Sequence, residues 1–145
     1  MDTIGRRDKI DLPEFGLFDI EAKVDTGAYG CALHCHRIQV ELKDGLEILS
    51  FQVLDPTHPE SKDKIFYSEQ FSDKSVKNSG GIVEHRYVIT TEVLIFGQKF
   101  SVDFSLTDRS FMKYPILLGR KFLSRRFLVD VQQKDLSHKQ KHDLK

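Results

Sequence analysis

The chain has no tryptophan, two cysteines, four prolines and no excess of charge of either sign. Each shortage excludes something. Twenty-two basic residues balance twenty-two acidic ones, so the electrostatic footprint of a nucleic-acid or anionic-membrane binder is missing, and neither partner is expected. No apolar run approaches the roughly 18 residues of a spanning helix. The opening segment MDTIGRRDKIDLPEFG carries charges without an apolar stretch behind them, unlike a secretory leader. Cys31 and Cys35 lie too close together to frame a disulfide-stapled fold. The expected compartment is therefore the reducing cytoplasm. No G-x-x-x-x-G-K-[ST] phosphate loop and no His-Glu-x-x-His helix occurs, and no cofactor is expected.

What the chain does have is bulk from eleven Phe and four Tyr, within 145 residues, the size of one domain. Its hydrophobic period is two. Phe18, Ile20, Ala22 and Val24 alternate with charged residues and predict a strand with one inward row. Ile38, Val40 and Leu42, a Lys43-Asp44-Gly45 turn and the run Leu49, Phe51, Val53 predict a hairpin. A longer one follows: Tyr87, Ile89, Thr91, Val93 and Ile95 on one face, a Gly97-Gln98 turn, then Phe100, Val102, Phe104 and Leu106. The polar stretches 55–64 and 72–81 read as loops. Only Gly119 to Phe127 looks helical, and the polar end has little to bury and should fray. The prediction is an all-β fold, a small closed β-barrel with one short C-terminal helix: a domain over 1–131 and a disordered tail over 132–145.

One stretch, AKVDTGAYGCALHCHRI, offers two chemistries. Asp25-Thr26-Gly27-Ala28 places a carboxylate on a tight turn that Gly27 allows, with the Thr26 hydroxyl available to tie the loop down. Such triplets commonly just close a hairpin. Cys31, His34, Cys35 and His36 are zinc ligands in type. On a strand, however, His34 and His36 share a face and Cys35 points away. The simpler reading is buried small thiols and a structural hydrogen bond from His34, which leaves His34 and Cys35 as weak metal candidates and no metal expected.

Asp-Thr-Gly-Ala followed downstream by ILLGR resembles the retropepsin-type aspartic peptidases. The blocks IGRRDKIDLPEFGLFDIEAKVDTGA, ALHC, VKNSGGIVEHRYVITT, SLTDRSFMKYPILLGRKFL and RFLVDV are similar to the bacterial and archaeal subfamily labelled ATP-dependent zinc protease. The resemblance spans about residues 4–131. It implies a half-size barrel working as a homodimer, with a catalytic turn of Asp25, Thr26 and Gly27, and a water activated against a peptide or amide bond by one Asp25 from each protomer. It also implies substrate contacts from Ala28 and from a flap carrying Gly80 and Gly81, with Glu84 and Arg86 either touching substrate or standing as solvated strand charges. Leu118, Gly119 and Arg120 would support the turn from behind. Two features depart from the family pattern. Tyr29 and Gly30 stand where an acidic partner for Arg120 is usual, and the flap is polar. A catalytically inactive peptide-binding or assembly module is the alternative function. The subfamily's association with glutamate-ligase systems implies an ATP-dependent ligase as a possible partner.

Overall fold

A computed structural model describes residues 1–54, 56–61, 63–77, 80–108 and 113–143 of the chain. The strands are β1 (Asp2–Ile4), β2 (Arg7–Leu12), β3 (Leu17–Val24), β4 (Cys31–Lys43), β5 (Leu46–Val53), β6 (Ile65–Ser68), β7 (Ser72–Lys77), β8 (Val83–Ile95), β9 (Gln98–Thr107), β10 (Ile116–Leu118) and β11 (Phe127–Val129). Two helices, α1 (Arg120–Leu123) and α2 (Leu136–Asp143), lie near the C-terminal end. Parts of the expected loops and flap, Asp55, Lys62, Asn78 and Ser79, and the segment 109–112 fall outside the described residues.

The main sheet closes on itself. β10 pairs parallel with β3; β3, β2, β8 and β9 follow as antiparallel neighbours; β9 pairs parallel with β4, and β4 returns antiparallel to β10. The result is a ring-like sheet, from which β5 and β6 extend beyond β4 and β7 extends beyond β8. Closure pairs the ring strands on both sides, which leaves open edges only on the strands that extend from it, such as β6 and β7. The inward rows of the ring make the core: Ile10, Ile20, Leu33, Val93, Phe104, Ile116 and Leu118 are all essentially inaccessible. Burying a side chain such as Phe104 stabilises the fold by about 1.5–3 kcal/mol.

Both predicted hairpins are present, with turns that differ in detail. Asp44 and Gly45 have φ of 53° and 80° between the paired Lys43 and Leu46. In the longer hairpin Ile95 pairs with Gln98, so the turn is Phe96-Gly97, with φ of 52° and 70°, and not Gly97-Gln98. Positive φ at both central positions matches the right-handed twist of the flanking strands. Phe96 accepts this conformation because its ring packs on Phe127, 5.7 Å between centroids.

Three further expectations are corrected. Phe18 is 51% exposed while Leu17 is buried. The cause is a bulge: Ile10 pairs with Ile20 but Leu12 with Leu17, so β3 carries one extra residue, with Asp19 at φ 55°. Residues 72–77, expected in a loop, form β7, paired with β8 from Ser72↔Val88 to Lys77↔Val83. The described side chains of β7 are exposed, so neither face carries the alternation that reveals a strand.

Residues 136–143, expected to fray, form α2. Polar anchors hold it. The Asp8 carboxylate accepts the N–H groups of Ser137 (2.8 Å) and His138 (3.1 Å), and Ser137 Oγ accepts the Phe96 N–H (2.8 Å). Lys141 reaches Asp11 and Asp19. Because these contacts are not apolar, hydropathy does not reveal the docking. Burial pushes the Asp8 carboxyl above its ordinary range, even though the N–H donors of Ser137, Lys9 and His138 pull it down.

Candidate active site

β3 ends at Val24, and the chain turns sharply at Asp25. The turn is held by its own carboxylate and backbone: Gly27 N–H donates to Asp25 Oδ1 at 3.0 Å, and Ala28 N–H to the Asp25 carbonyl at 3.3 Å. A Cβ added at Gly27 would come within 3.2 Å of Asp25 Oδ1, a close approach that glycine allows without adjustment. Thr26, Gly27, Tyr29 and Gly30 are exposed, while Asp25 and Ala28 are half-buried.

Behind the turn lies the segment Leu117–Arg120. Leu118 sits beside Val24 in the parallel β10–β3 pairing, and its carbonyl accepts the Asp25 N–H at 2.9 Å. Gly119 donates its N–H to Cys31 Sγ at 3.4 Å. A side chain at Gly119 is excluded, because its Cβ would overlap the Gly30 carbonyl and lie 2.7 Å from the Tyr29 carbonyl oxygen. The first N–H groups of α1 would lack helical partners; Arg120 and Lys121 donate them to the carbonyls of Ala28 (2.9 Å) and Tyr29 (2.8 Å). Each segment thus satisfies the other's orphan backbone groups. The Arg120 side chain, expected to lack its usual acidic partner, donates from Nη1 to the Thr26 carbonyl at 2.9 Å and lies over the Tyr29 ring. Tyr29 and a carbonyl do the work of the missing acid.

Asp25 opens onto a cleft of about 340 Å³, lined by Ala28, Tyr29, Cys31, Lys74, Arg86, Ser105, Thr107 and Leu117. A larger hollow of about 670 Å³ lies against Glu41, Ile48, Tyr67 and Gln70, away from the turn. Of the two, the 340 Å³ cleft is the one that the Asp25 carboxylate lines. The β7–β8 hairpin contributes Lys74 and Arg86, which are paired across its two strands. Arg86 Nη2 meets Glu84 Oε2 at 3.3 Å, whereas Arg86 Nε is buried with no hydrogen-bond partner among the described residues. Gly80 and Gly81 lie in the connection between these strands, with Gly81 at φ 81°.

The predicted residues therefore fall into groups. Asp25, Ala28 and Arg86 line one cleft; Thr26 and Gly27 form the exposed part of the turn; Leu118, Gly119 and Arg120 brace it; Gly80, Gly81 and Glu84 belong to the hairpin that supplies Arg86. Lys74 was not foreseen. Its only sequence signal is a basic residue in a polar segment, and its place follows from the pairing of β7 with β8.

His34 and Cys35 are not in the cleft. β4 begins as a central strand between β9 and β10, so both are buried. His34 Nδ1 donates to the Thr107 carbonyl at 3.2 Å. Burial pushes the Cys35 thiol well above its ordinary value, and Cys31 also upward, which disfavours the thiolate a metal would require. Among the described residues, the His, Cys and acidic ligand atoms close enough to share an ion are those of Asp19, His138 and His142.

A family model described as "RimB-like: Retropepsin-like aspartic endopeptidase RimB" matches residues 3–140. Among curated proteins, the chain is 34% identical over 131 residues to a "Probable alpha-L-glutamate ligase" of Parasynechococcus marenigrum, and 33% identical over 131 residues to one of Shewanella halifaxensis. Each alignment covers 88% of this chain but only 27% and 28% of the respective relative. The chain thus spans little more than a quarter of these proteins. Among solved structures, it is similar to a Legionella pneumophila protein of unknown function (DUF785), with TM-score 0.74 and 26% identity over 94% of this chain and 98% of that one.

Proposed function

Because the chain belongs to the RimB-like family of retropepsin-like aspartic endopeptidases, we propose that it is a homodimeric aspartic hydrolase whose substrate is an extended acidic peptide or other amide-linked chain. The observation that carries this reading is Asp25 on a braced turn at the mouth of a cleft whose flap supplies Lys74 and Arg86. Each chain has one Asp-Thr-Gly, so two carboxylates meet only when two protomers place their turns together across a two-fold axis. The exposed Thr26 and Gly27 suit that contact.

In the dimer the two Asp25 carboxyls share one proton, since adjacent like charges do not both ionise. The ionised one takes a proton from water as the water attacks the carbonyl carbon. The protonated one donates to the carbonyl oxygen. Collapse of the tetrahedral intermediate then expels the amine, which leaves with a proton from the dyad. Family relatives carry the name glutamate ligase over a much longer chain. A ligase that builds an acidic chain supplies the kind of product that this hydrolase would trim, and it is the natural partner. Free, buried Cys31 and Cys35 are compatible with a reducing compartment.

The test is cleavage of oligoglutamate and neutral peptides of equal length by wild type and Asp25→Asn, with molecular mass measured by sedimentation. The expected result is cleavage by a dimer and a loss of at least about 10³-fold in the variant. Equal rates for the two proteins would end the dyad reading. Tight binding without cleavage by wild type would instead favour a peptide-binding module.

A further inference from the structure

We infer that Asp19, His138 and His142 form a binding site for one divalent transition-metal ion of the kind that prefers imidazole, remote from Asp25 and joining β3 to α2. One ligand atom from each residue lies within 4.8 Å of the others. The two imidazoles are one helical turn apart, so they share a face of α2; their centroids are 4.3 Å apart and their planes cross at 71°. The third donor comes from the β3 bulge, where Asp19 adopts φ 55° and its N–H donates to Asp11 Oδ1 at 2.8 Å. A rigid bulge thus presents a carboxylate to a pair of imidazoles.

The arrangement of the three donors suits an ion. His138 Nδ1 is buried and stands 3.4 Å from Asp19 Oδ1, so a ring nitrogen and a carboxylate oxygen already face each other. The nitrogen is therefore aimed at the gap it shares with Asp19. Two nitrogens and a carboxylate oxygen are a three-protein-ligand set for zinc, with water completing a tetrahedron; donors about 2.0–2.2 Å from the ion need only a modest closing from the present spacing. The His142 side chain is exposed and has room to make that adjustment.

Lys141 is the competitor. Its Nζ lies 3.0 Å from Asp19 Oδ1 and 3.1 and 3.3 Å from the two Asp11 oxygens. An ion that takes Asp19 leaves the ammonium on Asp11, so no cation is stranded. Asp11, Asp19 and Lys141 together carry one net negative charge, which favours a divalent guest. Asp25 follows Asp19 by six steps along extended strand, about 20 Å. The ion would therefore take no part in hydrolysis and would fasten the C-terminal helix to the ring. The Cys31 to His36 run of β4, the sequence's more conspicuous ligand cluster, plays no role in this site.

The test uses the full chain, stripped with chelator and titrated with Zn²⁺ and, for its visible spectrum, Co²⁺. Expected are one equivalent bound, ligand-field absorption of a four-coordinate Co²⁺ site, and a Tm rise of roughly 5–10 °C when Zn²⁺ exceeds its Kd about 100-fold. The double variant His138→Gln/His142→Gln, at non-core positions, should lose at least about 10-fold in affinity along with the Tm response. In wild type, the imidazole NMR signals of His138 and His142 should shift on adding Zn²⁺, a readout independent of how the variant folds. Binding of less than about a tenth of an equivalent, unmoved His138 and His142 signals, or equal affinity in the double variant would each overturn the proposal.

Discussion

Arg120 and Thr26 are joined by a 2.9 Å hydrogen bond from Nη1 to the carbonyl oxygen, across 94 residues of sequence. The same guanidinium lies over the Tyr29 ring, 5.9 Å from its centroid to Cζ. One side chain thereby holds the exposed rim of the turn on both sides of Gly27. Arg120→Ala should lower stability by about 1 kcal/mol and, by loosening the turn, reduce hydrolysis by more than 10-fold. Arg120→Lys retains the charge but not the planar stacking, and should fall between the two. Urea denaturation and peptide turnover check both parts.

Gly119 should tolerate no side chain. Gly119→Ala would force its Cβ into the carbonyls of Tyr29 and Gly30, displacing backbone that also accepts the Lys121 N–H. The expected cost is about 1–3 kcal/mol, seen as a lower denaturation midpoint with an unchanged slope. A midpoint equal to wild type would show that the two segments are not in contact.

Lys74 and Arg86 should act on binding more than on chemistry. Lys74→Ala and Arg86→Ala are each expected to raise KM for an acidic peptide about 10-fold or more, from the loss of a charge-assisted contact. Changes in kcat should stay within about 2-fold, and KM for a neutral peptide should hardly move. The wild-type preference should weaken as salt is raised.

The attachment of α2 should depend on pH at both extremes. Asp19 loses some solvation, which alone would raise its pKa, but the Lys141 hydrogen bond and the charges of Lys141 and His138 hold it below 3.8. Its contribution is present above the unfolded pKa and lost as pH falls through the lowered folded value. Lys141 behaves in the opposite sense. Desolvation alone would lower its pKa, but Asp19 and Asp11 raise it above 10.5. That contribution is present below the unfolded pKa and lost as pH rises through the raised one. Amide NMR signals from residues 136–143 should therefore shift beyond these limits, and the Ser137 and His138 signals should also move between them, on the acid side, as the raised Asp8 carboxyl that accepts their N–H groups titrates. Lys141→Met should remove the alkaline step.

Much of the ring was legible because alternation is local. Where one face of a strand is buried and the other is wet, as in Tyr87 to Ile95, period two appears in the residues themselves. It failed wherever burial did not set the pattern. β7 is exposed on its described faces, α2 is anchored by Asp8, Ser137 and Lys141, and the Asp19 bulge shifts the phase of β3 by one residue. None of these has an apolar signature.

The candidate site divides in the same way. By itself the sequence determined a carboxylate on a glycine-assisted tight turn, because the residue types such a turn needs are few, and the Leu-Gly-Arg brace was legible only through the resemblance to a known family. Only the tertiary structure decided what Arg120 binds, that Lys74 enters the cleft, and that Asp19 faces His138 and His142. Those outcomes depend on which strands become neighbours when the ring closes. Pairings such as β10 with both β3 and β4 join residues far apart in the chain, and no local period encodes them.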